Sequence, residues 1–369
     1  MANRKALLFL ISTLSQFPLS TVRFIAPVYA QSIGATPFVL GMMGASYGAV
    51  YILLATYFGR FSERFGYGRM AASGLLVYAL VVLAYPLIRD PYMLIVVRGG
   101  EAVGMAMVWP AIEAYSQTLG ESRMERSVMV YTLSWSAAAS VAPYAGALLL
   151  SNIFTAIAVV SVVSISGALV GAVIGRAGSF STVTEGRGIN AVYDIIVPVF
   201  VFGFNYTIMT SFYPAYGNYI GLGIVGTGTA SAVSGAMMMA AFVVSGLFLK
   251  GRIATVIGLL LQLPFVIVSA GGGLAVQTAV LSLVMFGDGL IYFNVLLNII
   301  SSVRSGVGMR TGIFESSIGL GSIIGPLAAG IPTPLGFSFP WVLTTSVSAA
   351  LLAIYLLHGA RYNFLKLLH

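Results

Sequence analysis

The chain has 369 residues, 59% of them hydrophobic and only 8% charged, with a formal net charge of +8. Soluble domains carry about 25% charged residues, so this chain could not cover a water-facing surface, and a soluble globular protein is excluded. Runs of roughly 20 apolar residues, enough to cross a hydrocarbon core of about 30 Å, fill nearly the whole sequence and leave no room for a soluble domain.

A bilayer offers backbone groups no water, so its spans are helices or a closed barrel, and these runs lack the alternation of barrel strands. They predict an all-α integral membrane protein with twelve transmembrane helices at 6–32, 37–58, 70–88, 92–114, 128–150, 153–175, 190–216, 222–249, 253–270, 273–300, 311–332 and 339–358. The first run, basic and then apolar, has the form of a signal peptide. It is kept as a span because PVYAQSIG, 27–34, which closes it, returns as PAYGNYIG, 214–221, at the end of the seventh.

Fifteen of the eighteen basic residues fall at the start, the end, or connections that leave even-numbered helices, among them Arg60, Arg64, Arg69, Arg126, Lys250 and Arg252. Lys and Arg concentrate in short cytoplasmic loops, so that face is assigned to the cytoplasm, with both termini on it. The exceptions are Arg23, Arg89 and Arg98. The positive charge thus reads as topology and implies no nucleic-acid surface.

The octapeptide is one part of a longer repeat. At the same offset of 187, Gly41 matches Gly228, Gly48 matches Gly235 and Gly59 matches Gly246; after a shorter connection Arg69 matches Arg252 and Pro143 parallels Pro326. GGEA at 99–102 parallels FGDG at 286–289, pairing Glu101 with Asp288. The chain is therefore read as two pseudo-symmetric six-helix bundles, 1–175 and 190–369, joined by a polar linker at 176–189. Six is even, so both copies enter the membrane from the same side, a parallel repeat about an axis along the membrane normal.

FGRFSERFGYGRM, 58–70, resembles the signature that the major facilitator superfamily of secondary transporters carries between helices two and three. It does so through Gly59, Glu63, Arg64, Gly66 and Arg69, with Glu63 where the family has Asp. VVRGGEAVG in helix four places Arg98 and Gly104 like the family's Arg-x-x-x-Gly pattern. Gly312, Gly321, Gly325, Pro326 and Gly330 in helix eleven resemble the family's glycine-rich packing element, with Ala329 replacing one glycine; in helix five, where that element marks antiporters, Pro143 and Gly146 remain. The resemblance implies that 59–69 is a cytoplasmic latch between the halves, to which Glu113 adds a partner for Arg64 or Arg69. It also implies that helices one, four, seven and ten line a central pathway.

An ionisable group near the bilayer centre costs at least about 2.5 kcal/mol and faces a cavity or a partner by default. Four residues qualify: Arg23, Arg98, Glu101 and Asp288. They are the candidate substrate-binding and coupling residues, Glu101 and Asp288 for protons and Arg23 for an anionic group. When substrate is absent Arg23 is expected to contact Glu101, whereas Arg98 is read as structural. Tyr206, Tyr213, Tyr216, Tyr292, Phe293 and Met237 to Met239 are candidates for an apolar lining.

The sequence holds no phosphate-cradling Gly-x-x-x-x-Gly-Lys-(Ser/Thr), no Cys, and only two His, both at the C-terminal edge. ATP-driven transport, metal and haem centres and His-based catalysis are not supported, so neither an enzyme nor a cofactor is expected. The function read from the sequence is alternating-access transport of a small-molecule substrate across the cell membrane by a monomer, driven by protons, with export first. The alternatives are proton-coupled uptake of an organic anion, and a non-transporting sensor or scaffold of the same fold.

Overall fold

The structure is a computed structural model that describes residues 2–118, 124–175, 192–301 and 307–367. Among these it is helical throughout, with no strand: α1 (Ala2–Ser32), α2 (Pro37–Phe65), α3 (Tyr67–Val82), α4 (Met93–Gln117), α5 (Met124–Leu149), α6 (Ile153–Ile174), α7 (Val192–Tyr219), α8 (Gly223–Leu247), α9 (Gly251–Leu260), α10 (Phe265–Ser269), α11 (Leu274–Ser301), α12 (Val307–Ala329) and α13 (Phe339–Leu367). Helices α9 and α10 together make the ninth of twelve helical segments in chain order, and among the described residues ten of the twelve are long and apolar enough to cross a membrane. The linker at 176–189 lies outside the described residues.

Two spans depart from the simple reading for local reasons. The second and third are divided by Gly66, whose φ of +102° only glycine adopts without strain. The ninth breaks between Leu260 and Phe265, where Pro264 brings no N–H and its ring disfavours a continuous helix. Beside that break lies a buried polar bridge. Gln262 donates to the Gly258 and Val284 carbonyls at 3.2 and 3.1 Å and accepts from Asn205, which also donates to Ser348 at 2.8 Å. One amide network thereby ties α7, α9, α11 and α13, and in a membrane such internally satisfied polar groups hold helices together.

The repeated residues recur as repeated contacts. Gly41 on α2 lies against Pro326 and Gly330 on α12, and Gly228 on α8 lies against Pro143 and Ala147 on α5. One turn or two further in, Gly44 meets Pro326, Gly48 meets Ser322, and Gly235 meets Ser140. These are two copies of one seam, α2 on α12 and α8 on α5, each joining the first six spans to the last six at the end of the bundle away from the basic face. Small residues at both seams let the backbones approach closely. Between the seams Asn218 donates to Gln31 at 3.4 Å, so the two copies of the octapeptide touch each other through their amide residues.

The remaining packing-motif residues serve the same helix in another direction. Gly321 and Gly325 lie against Phe200, Phe204 and Ile208 of α7, while Pro326 and Gly330 face α2. Gly312 falls within α12, and its surroundings lie outside what the structure describes.

Candidate functional site

Between the two seams and the basic face lies a cavity with about 180 Å³ open to the centres of water-sized molecules. Its wall draws on α1, α2, α4 and α5 from the first half and α7, α11 and α12 from the second. Much of the lining is aromatic: Tyr47, Tyr51, Trp109, Trp135, Tyr206 and Tyr292. A smaller cavity of about 50 Å³ adjoins it on the α5–α8 side, and Arg23, Tyr206 and Thr210 line both.

Arg23 projects from α1 with its guanidinium over the rings of Tyr47 and Tyr206, 5.5 and 5.6 Å from their centroids, and donates to the Tyr206 hydroxyl at 3.3 Å. No carboxylate pairs with it among the described residues. This differs from the expectation that Arg23 falls back on Glu101. Glu101 is fully buried on α4 and is already taken, by Arg98 three residues away at 2.5 Å and by the Tyr85 hydroxyl at 2.6 Å. Residues three apart share a helix face, so the nearer arginine closes the pair and leaves Arg23 facing the cavity. Arg98 itself stacks over Tyr47, 4.8 Å from the ring centre, and lines the same space.

Asp288 is fully buried on α11, and among the described residues neither carboxyl oxygen has a hydrogen-bond partner. It lines neither cavity, yet Met285 and Tyr292, on the same helix face, line the smaller and the larger one. The sequence pairing of Glu101 with Asp288 is one turn out. Gly104 packs on Gly74 as Gly287 packs on Gly258, a register that sets Asp288 opposite Met105. The two acids therefore hold different depths, and symmetry alone does not make them equivalents.

The latch residues and Glu113 part company. Glu63, Arg64 and Arg69 are exposed at the basic face, with no ion pair among the described residues, and Gly59 contacts Pro110 of α4. Glu113, expected as a partner for Arg64 or Arg69, instead lines the central cavity, where Glu315 from α12 joins it. The two carboxyl groups face one space from different halves of the chain.

Sequence reading missed Glu315, Gln16, Tyr47, Trp109 and Trp135. For Glu315 a signal existed, an acid inside an apolar helix, but starting that helix at 311 placed it near a membrane surface; the helix in fact begins at Val307, two turns before the acid. Of the proposed apolar lining, Tyr206 and Tyr292 face the central cavity and Met238 the smaller one, whereas Tyr213 and Tyr216 pack on buried Trp341.

The two six-helix halves share this cavity, with repeat-related seams along one end of it. The family model described as Major Facilitator Superfamily matches residues 8–307. The chain belongs to the major facilitator superfamily. No curated protein matches it in sequence. Among solved structures, this major facilitator chain is similar to the nucleoside transporter NupG, as a point mutant, at TM-score 0.75 and 12% identity over 96% of this chain and 99% of that one. It is similar to a bacterial homologue of the human lysosomal transporter Spinster, in an inward-facing and occupied conformation, at TM-score 0.74 and 14% identity, with 97% of each chain covered. It is also similar to the POT family transporter PepTSo, at TM-score 0.77 and 11% identity, with 99% of each covered. At such identities these likenesses speak for the fold, and the family makes the chain a multi-pass membrane transporter of small molecules.

Proposed function

We propose that the chain is a secondary active transporter that exports small organic solutes by alternating access in exchange for protons. The observation that carries this is the cavity between the halves, holding an arginine that no carboxylate among the described residues pairs, beneath two symmetric seams of small residues. Rocking of the first six spans against the last six about that cavity is the motion a parallel repeat permits. The basic face is the cytoplasmic one by the distribution of Lys and Arg, which puts both termini in the cytoplasm of a cell-membrane protein and makes the closed seams the outer gate.

Coupling is assigned to Asp288 ahead of Glu101. An ionised carboxylate buried without a partner costs several kcal/mol, whereas Glu101 has Arg98 and Tyr85 to hold its charge. Binding a proton removes the cost at Asp288, and losing it requires a rearrangement that brings water or a cation to α11. Arg23 favours a substrate with an anionic group, and on that account proton-coupled uptake of an organic anion is the second reading. Flux of a substrate panel in proteoliposomes, with and without a pH gradient of either sign, tests all of this: accumulation against the solute gradient when the outside is acidic is uptake, extrusion under the same gradient is export, and indifference to pH removes the proton.

A further inference from the structure

The acidic side chains of the cavity wall gather in the half nearer the basic face. Glu113 on α4 and Glu315 on α12 line it from opposite halves of the protein, and the basic residues lining the cavity, Arg23 and Arg98, lie towards the other end. Arg98 and Glu113 are fifteen residues apart on one helix, about 22 Å at 1.5 Å per residue. Among the described residues no cation pairs with either glutamate.

What surrounds the two carboxylates is aromatic. Tyr51, Tyr131 and Tyr292 line the same cavity as both, and Trp109 sits one turn from Glu113 on α4. Two more polar groups turn into the same space. Gln16, 3% exposed, lines the cavity, its amide nitrogen donating to Ser20 and its oxygen taking no donor among the described residues; Trp135, 9% exposed, lines it too. An acceptor on the cavity wall and the faces of aromatic rings are what a hydrogen-bond-donating cation seeks. Hard metal ions want six or more oxygen ligands, and no group of three or more metal-binding side chains occurs among the described residues.

We propose that Glu113 and Glu315 form a subsite for an organic ammonium group, so that the solute carries a protonated amine on an aromatic or aliphatic body. This rests on reading the cavity as the transport pathway. It also supplies a reason for movement. The acids belong to different halves, so closing the basic face brings like charges together, and an ammonium between them turns that repulsion into attraction. A ligand that interacts differently with two states shifts the balance between them.

The test uses the full chain in lipid nanodiscs, with phenethylamine as probe and phenethyl alcohol as its neutral counterpart, read by thermal shift and titration calorimetry. The amine is expected to bind and the alcohol to bind far more weakly. Glu113→Gln and Glu315→Gln should each weaken the amine by about tenfold or more, the worth of one charge-assisted bond. Glu113→Asp, which keeps the charge, should retain most of the affinity, and Asp90→Asn, an exposed loop acid, all of it. The unliganded melting temperature of each variant shows whether it is folded. Equal binding of amine and alcohol by the parent, or unchanged amine binding in the Gln variants, overturns the subsite. So does failure of the amine to bind while the Gln variants change pH-driven flux, which would give the pair to protons. Binding needs no transport, so failure here leaves the transport reading standing, and failure of flux leaves this result standing.

Discussion

At the scale of single residues, the cavity gives Arg23 two features a lysine cannot copy. Its planar guanidinium lies against two tyrosine rings, and its fork can meet both oxygens of a carboxylate or phosphate. Arg23→Lys keeps the charge but should weaken an anionic substrate found by the panel by about tenfold, in line with 1.5–3 kcal/mol for a charged hydrogen bond. Calorimetric titration checks this; affinity equal to the parent's would reduce Arg23 to hydrating the space between the two cavities. Arg98 should behave differently. Removing it leaves Glu101 as a buried, uncompensated charge, so Arg98→Ala is expected to lower stability by about 3–5 kcal/mol, seen as a large fall in melting temperature with or without substrate.

At the scale of elements, the seams are the parts that must open and re-form. A side chain at Gly41 has no room, since an added methyl would overlap the Pro326 carbonyl and come within 2.9 Å of the Gly330 backbone. Gly41→Val should therefore separate the outer ends of α2 and α12 and populate an outward-open form. The chain has no native Cys, so spin labels on two introduced cysteines report that distance against no background. An unaltered distance distribution in Gly41→Val would mean that the seam tolerates bulk and is not a gate. The exposed latch belongs to the opposite state. If Glu63 and Arg64 make their contacts only when the basic face is closed, Glu63→Gln removes them there and should shift the same distances towards the outward-closed form described here.

At the scale of the whole molecule, coupling means that proton and solute cannot cross independently. Asp288→Asn fixes a neutral side chain on the α11 face between the two cavities, and should abolish transport driven by a pH gradient while leaving substrate exchange at equal concentrations within about twofold of the parent, because exchange needs the cavity and no net proton movement. Radiolabelled counterflow and pH-jump uptake in the same proteoliposomes separate the two. Persistence of pH-driven flux in this variant would move the proton to Glu101 or to the glutamate pair.

The sequence by itself determined the class, the twelve spans and the twofold repeat, because these depend on quantities local to the chain: apolar length against membrane thickness, basic residues at helix ends, and a motif copied at fixed spacing. It also picked out Arg23, Arg98, Glu101 and Asp288, since charge inside an apolar run is visible without any structure. Only the tertiary structure decided which charges meet. Glu101 turned to Arg98 because helix geometry put them on one face, and Glu113 left the latch because α4 carries it inward to the cavity. Glu315 reached Glu113 from the other half of the chain because glycines on α12 let that helix lie close against both α2 and α7. Hydropathy fixes how deep a residue sits. It says nothing of rotation about the helix axis, which is set by small side chains and polar bridges between helices distant in sequence, and it is rotation that aims a side chain into the cavity or away from it.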